Sequence, residues 1–162
     1  MSRITRIELS KEAMKFSAGH FTIFGPGARE NMHGHNFVLQ VEVDATVGAS
    51  GLAFDYVRVR RLLIDLCDQW NEVFLLPGHS PHLRVEEEGG SVIAHFGDER
   101  LVFLKRDVLV LPVTNVTLEE LSHLVLQKLL PPLMSDEESG VIRVVARVFS
   151  GPGQSALSEW TR

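Results

Sequence analysis

The sequence predicts an α+β domain in which two helices lie on one face of an antiparallel sheet. Three observations carry that reading: residues 36–47 alternate between apolar and polar, two later segments switch to helical spacing, and the chain closes on a further period-two run. The order is strand, strand, helix, insertion, helix, strand, strand. With 162 residues and 44% hydrophobic composition the chain can bury one substantial core, so a single domain over 1–162 is expected.

From Arg3 to His20 the chain reads as a long strand, with Met14, Phe16, Ala18 and His20 on one parity and a bulge or turn near Leu9 to Glu12. A loop from Phe21 to Met32, containing Gly25-Pro26-Gly27, leads to the clearest strand, Asn36 to Val47, where Phe37, Leu39, Val41, Val43, Ala45 and Val47 share a face. Asp55 is then the N-cap of a helix from about Tyr56 to Trp70, with Val59, Leu62, Leu63, Leu66, Cys67 and Trp70 at helical spacing. Thr117-Leu118-Glu119-Glu120 is a capping box that opens a second helix with the stripe Leu118, Leu121, Leu124, Val125 and Leu129. Pro131-Pro132 is expected to stop it. Val141 to Val148 returns to the period of two, and a shorter strand can follow Gly151-Pro152-Gly153. Residues 77–112 read as a β-rich insertion with two short strands, Ser91–Phe96 and Arg100–Phe103, about the turn Gly97-Asp98-Glu99. The strands over 36–47 and 141–148 are expected to offer open edges that neighbouring subunits cover.

Composition narrows the function. The 16 basic and 21 acidic residues leave a formal charge of −5, which argues against nucleic acid or an anionic membrane as partner. Cys67 is the only cysteine, so no intrachain disulfide can form, and a reducing cytoplasm suits the chain. Charges interrupt Met1 to Lys15, so no signal peptide is expected there, and no stretch is long and apolar enough to span a bilayer.

The chemistry is carried by histidines. His33 and His35 stand two apart at the start of a strand, so their side chains leave the same face. His20 ends the preceding strand on the parity of Phe16 and Ala18, which brings a third imidazole near them if the two strands pair. Three neutral nitrogens with one position left open are the ligand set of a catalytic zinc, Zn2+. A lone His-x-His pair is as well read as two surface histidines; the third histidine turns the balance. His79, His82, His95 and His123 have no such spacing and receive no role.

Phe16-Ser17-Ala18-Gly19-His20, Met32-His33-Gly34-His35-Asn36-Phe37 and Gly51-Leu52-Ala53-Phe54-Asp55-Tyr56 resemble, in order and spacing, successive motifs of the 6-pyruvoyl-tetrahydropterin synthase and 6-carboxytetrahydropterin synthase family. Thr117-Leu118-Glu119-Glu120-Leu121 resembles the family's Thr-x-Glu-Asn, with Glu120 in place of Asn. The resemblance implies the tunnelling fold (T-fold): a four-stranded antiparallel sheet with two helices on one face, in subunits that assemble as a homohexamer. It also implies zinc on His20, His33 and His35, a dihydropterin triphosphate as substrate, and Thr117 and Glu119 as substrate-binding residues.

The base differs from that of the best-known members. They carry a cysteine four residues before His-Gly-His, where this chain has Arg29; Cys67 lies on the apolar stripe of the first helix. Glu30, three residues before His33, resembles the glutamate of a subgroup that cleaves 7,8-dihydroneopterin triphosphate to 6-hydroxymethyl-7,8-dihydropterin for folate. Glu30 is thereby the expected catalytic base. The family's Asp-His pair after the first helix is met here by Asn71 and Glu72, and its C-terminal pterin-anchoring glutamate by Val148-Phe149-Ser150-Gly151-Pro152, with Glu159 the nearest acid. The alternatives are the 6-carboxytetrahydropterin synthase reaction of queuosine biosynthesis and a catalytically silent protein that binds zinc or a pterin.

Overall fold

The long alternating run becomes the central strand of the sheet. The computed structural model describes residues 3–135 and 140–162. It begins with strands β1 (Arg3–Leu9), β2 (Lys15–His20), β3 (Ile23–Gly25), β4 (Ala28–Arg29) and β5 (His33–Val47). Helix α1 (Tyr56–Trp70) follows, then β6 (Val73–Pro77), β7 (Arg84–Glu88), β8 (Ser91–Phe96), β9 (Glu99–Leu104) and β10 (Val108–Leu111). Helix α2 (Leu118–Met134), β11 (Val141–Gly151) and β12 (Gln154–Thr161) complete the described chain.

β1 and β2 lie end to end along one side of β5, parted by a turn in which the Met14 N–H donates to the Lys11 carbonyl at 2.8 Å. β11 pairs antiparallel with the other side of β5, and β12 with β11. This is the expected four-stranded antiparallel set, but the sheet does not end there. β6 runs parallel to β2 and β10 parallel to β6, giving the mixed order β10-β6-β2-β5-β11-β12 with β1 on β5. Parallel strands tend to read as unbroken apolar runs, and Val73–Pro77 and Val108–Leu111 have no alternation to announce them. As a result β5 and β11, expected to offer edges, are interior strands, and the path ends at β10 and β12.

Asp55 caps α1 as expected, its carboxylate accepting from the N–H groups of Val57 and Arg58 at 3.0 and 3.2 Å, a contribution of about 1 kcal/mol. Thr117 caps α2 by accepting from the Glu120 N–H at 3.3 Å. The return bond of the box goes elsewhere: the Glu120 carboxylate accepts from the Thr114 N–H at 2.9 Å. Pro131 and Pro132 do not stop α2, which runs through them to Met134. Each removes one N–H donor near the helix end, but Leu133, 4% exposed, is packed into the core and carries the last turn with it.

Both helices cover the face of the sheet that bears Phe37, Leu39, Val41, Val43 and Ala45, all buried. Phe16 stacks on Phe37 at 4.9 Å and meets the edge of Trp70 at 5.4 Å. The opposite face is charged: Arg6 forks onto Asp44 at 2.7 and 2.8 Å, and Arg143 lies near Glu42, Asp44 and Glu159.

The insertion holds a sheet of three strands, β7-β8-β9, where two were expected. β7 is Arg-Val-Glu-Glu-Glu, poor in strand-forming residues; pairing with β8 and the Glu86 bond to His95 at 2.7 Å hold it in place. A second core of Phe21, Ile23, Leu76, Leu83, Val92, Ala94, Phe96 and Val108 joins this sheet to β3.

Candidate functional site

Register alone assembles the three histidines. In the β2–β5 ladder His20 stands opposite His33, and Ala18 opposite His35; residues directly opposite share a face, as do residues two apart on one strand. The ring centroids lie 4.6 Å apart for His20–His33, 5.2 Å for His20–His35 and 4.9 Å for His33–His35. One ligand atom from each falls within 4.8 Å of the other two. Gly34 between His33 and His35 permits close strand pairing, since a Cβ there would stand 3.1 Å from the Ala18 carbonyl oxygen.

Two of the rings are aimed by backbone carbonyls. His20, 6% exposed, has Nδ1 2.8 Å from the Val116 carbonyl, to which it donates; this makes Nε2 the acceptor. That Nε2 is buried with no hydrogen-bond partner among the described residues. A buried polar atom left unpaired costs about 1–3 kcal/mol, so the position calls for a ligand. His33 Nδ1 lies 2.9 Å from the Asn31 carbonyl, and its Nε2 is the nitrogen on the Glu30 side. A carbonyl on the far nitrogen is the usual way a metal-binding histidine is oriented. Burial lowers the His20 pKa against the opposing pull of Val116, so the ring is neutral near pH 7. The residues therefore fit a divalent metal ion held by three imidazoles.

Glu30 stands beside them. Its Oε2 is 3.9 Å from His33 Nε2 and accepts from the Thr22 N–H at 2.9 Å, while its own N–H donates to the Thr22 carbonyl at 2.9 Å. Burial pushes the carboxyl up, but the Thr22 hydrogen bonds and the charges of His33 and His20 bring it below its ordinary value. At neutral pH it is a carboxylate, the form a general base requires.

The other expected residues divide. Thr117 follows the carbonyl that orients His20, so the start of α2 abuts the cluster, but its hydroxyl accepts the capping bond. The Glu119 side chain is exposed in the first turn of α2 and has no hydrogen-bond or ion-pair partner among the described residues. Cys67 is fully buried in α1. Asn71 Oδ1 accepts from the Ser17 N–H at 2.8 Å, and Glu72 is exposed with φ of 59°. Glu159 is bound to Arg143 at 2.8 Å on the opposite face of the sheet. Sequence reasoning missed Asn115, whose side chain accepts from the Ile23 N–H at 3.1 Å and donates to the Ile23 carbonyl at 2.8 Å, tying β3 to the segment that orients His20. An Asn before a capping box reads only as a turn residue.

The fold is shared with known proteins. A protein of Methanocaldococcus jannaschii, provisionally named a 6-carboxy-5,6,7,8-tetrahydropterin synthase, is 21% identical over 144 residues, 88% of each chain. The solved 6-pyruvoyl tetrahydropterin synthase of Plasmodium falciparum superposes with a TM-score of 0.89 at 22% identity, covering 98% of this chain and 99% of its own. A Plasmodium vivax 6-pyruvoyltetrahydropterin synthase, solved as a variant with a catalytic glutamate replaced by cysteine, gives 0.90 at 23% identity and 99% coverage of both chains. These likenesses establish the tunnelling fold. The profile of the 6-pyruvoyl tetrahydropterin synthase family matches residues 8–156, and the chain belongs to that family.

Proposed function

We propose that this chain is a zinc-dependent pterin lyase that converts 7,8-dihydroneopterin triphosphate to 6-hydroxymethyl-7,8-dihydropterin, with Glu30 as base. The observation that carries the reading is the placement of the Glu30 carboxylate 3.9 Å from His33 Nε2, with Arg29 where the best-known members have their thiol. The glutamate named as catalytic in the Plasmodium vivax protein supports it.

His20, His33 and His35 would hold the metal. When bound, zinc lowers the pKa of hydroxyl groups that reach its open position. Glu30 takes the proton from the hydroxyl on the second side-chain carbon. The bond between the first and second carbons then breaks, the second carbon becomes an aldehyde that leaves with the triphosphate, and the electron pair passes to the first carbon and the dihydropterin ring. Reprotonation of the first carbon gives the hydroxymethyl product. The Thr22 N–H holds the carboxylate toward the cluster, and Thr117 and Glu119 at the start of α2 would contact the pterin.

Glu30→Gln keeps the shape but cannot accept the proton. Turnover should fall by about a hundredfold or more with metal content unchanged; equal activity in both proteins would eliminate the carboxylate mechanism. The Methanocaldococcus jannaschii relative favours a second reading, the 6-carboxytetrahydropterin synthase reaction. Identifying the product released from the same substrate separates the two. We also propose a cytoplasmic homohexamer in which the edges at β10 and β12 are covered by neighbouring subunits. Sedimentation that found only monomers at micromolar concentration would contradict that assembly.

A further inference from the structure

The residue before Glu30 ties the loop to the insertion. Arg29 Nε donates to Glu99 Oε2 of β9 at 2.7 Å, Nη2 donates to the same oxygen, and Nη1 donates to the Glu30 carbonyl at 2.8 Å. The guanidinium carbon lies 4.9 Å from the centre of the Phe21 ring and 5.8 Å from that of Phe96. Its side chain is only 14% exposed. A planar fork that stacks and bonds at once is a geometry lysine cannot copy.

The two short segments divide the labour residue by residue. His20 contributes a ring to the cluster, Phe21 is the platform for Arg29, and Thr22 binds the Glu30 carboxylate. Phe21 and Phe96 belong to the same buried cluster, so the platform and the insertion are one packed body. The β3–β4 hairpin itself has only two register pairs, Ile23–Arg29 and Gly25–Ala28. A ribbon that short is marginal without outside contacts.

We propose that Arg29, held by Glu99, is a positioning residue through which the insertion sheet fixes the Glu30 carboxylate beside the histidine cluster and so sets the rate of proton transfer. The catalytic part of this inference rests on the role given to Glu30 above; the mechanical part does not. Displacing a reacting group by about 1 Å can cost roughly a hundredfold in rate.

The test uses Arg29→Met, which keeps an apolar stem over Phe21, and the milder Glu99→Gln. Hydrogen exchange at the Thr22 amide reports the bond to the Glu30 carboxylate directly, and the Glu30 amide reports the adjoining backbone pair. Both should exchange about tenfold faster or more in Arg29→Met, while Leu39 and Val41 of β5 keep their protection and show that the fold is intact. In the same variant kcat should fall about ten- to a hundredfold with KM within about threefold and metal content unchanged. Glu99→Gln should move each quantity in the same direction by less, and Arg29→Lys should recover only part of the rate. Placed on Glu30→Gln, Arg29→Met should add no further loss, because its effect passes through Glu30. Unchanged Thr22 and Glu30 protection, or a full Arg29→Met effect on the Glu30→Gln background, would overturn the proposal. Loosened amides in a protein that turns over none of the pterin would remove the proposed reaction and leave the mechanical clamp standing.

Discussion

Stripping the proposed zinc should cost stability by an amount that linkage allows to be worked out. Without an ion, His20 Nε2 is a buried acceptor with no partner among the described residues, a penalty of about 1–3 kcal/mol that ligation would remove. Linkage gives the total: a ligand at a hundred times its dissociation constant stabilises the native state by about 2.7 kcal/mol. For a chain of this size each kcal/mol moves Tm by about 2–4 °C, so zinc-loaded and chelator-stripped protein should differ by roughly 5–11 °C. Scanning calorimetry at one fixed protein concentration measures the difference, since an oligomer's transition also depends on concentration. The His33→Ala/His35→Ala double variant should show no zinc-dependent shift, with one ring left to bind. A Tm unmoved by zinc in the wild type, or a shift that survives in the double variant, would refute the assignment of these three rings as ligands.

Two further outcomes follow from buried and paired groups. Burial first, and the charge of Asp68 second, push the Cys67 thiol up to about 12, so iodoacetamide at pH 8 should leave the native protein unlabelled and modify it fully once unfolded. The Arg6 hydrogen bond, with the charges of Arg6 and Arg143, holds the Asp44 carboxyl below its ordinary range despite burial. Its contribution is complete above the unfolded value of about 3.9 and is lost as pH falls through the lower folded value. Urea midpoints of Asp44→Asn should therefore decline less steeply than those of the wild type as pH is lowered from about 5 to 2, and parallel curves would exclude the pair as a source of acid sensitivity.

The histidine cluster was legible because it depends on parity and pairing alone: His33 and His35 share a face, and His20 sits at the end of the strand that meets them. Helix α1 was legible for the same kind of reason, with a capping Asp and an apolar stripe agreeing about one boundary. β6, β7 and β10 were not. β6 and β10 lack the alternation that marks a half-buried strand, and β7 is held by pairing with β8 and by the Glu86–His95 bond, which no local pattern encodes. The groups that aim the site were hidden for a different reason. The Val116 carbonyl and the Thr22 N–H are backbone atoms, and every residue type but proline offers both kinds.

Arg29 and Glu30 form one structural unit. The Glu30–Thr22 backbone bond prolongs the β3–β4 ladder by one step, so successive side chains there leave opposite sides. Glu30 turns toward His33, and Arg29 turns toward Phe21, Phe96 and Glu99. Moving a carboxylate one position along such a ribbon exchanges the faces, because a shift of one residue inverts every side chain. Once the carboxylate occupies position 30, residue 29 must face the insertion. A cysteine there would point away from the three histidine rings, whereas an arginine meets a carboxylate and two aromatic rings already in place. Glu30→Ala with Arg29→Cys should thus put a thiol against Phe21 and Phe96 rather than beside His33.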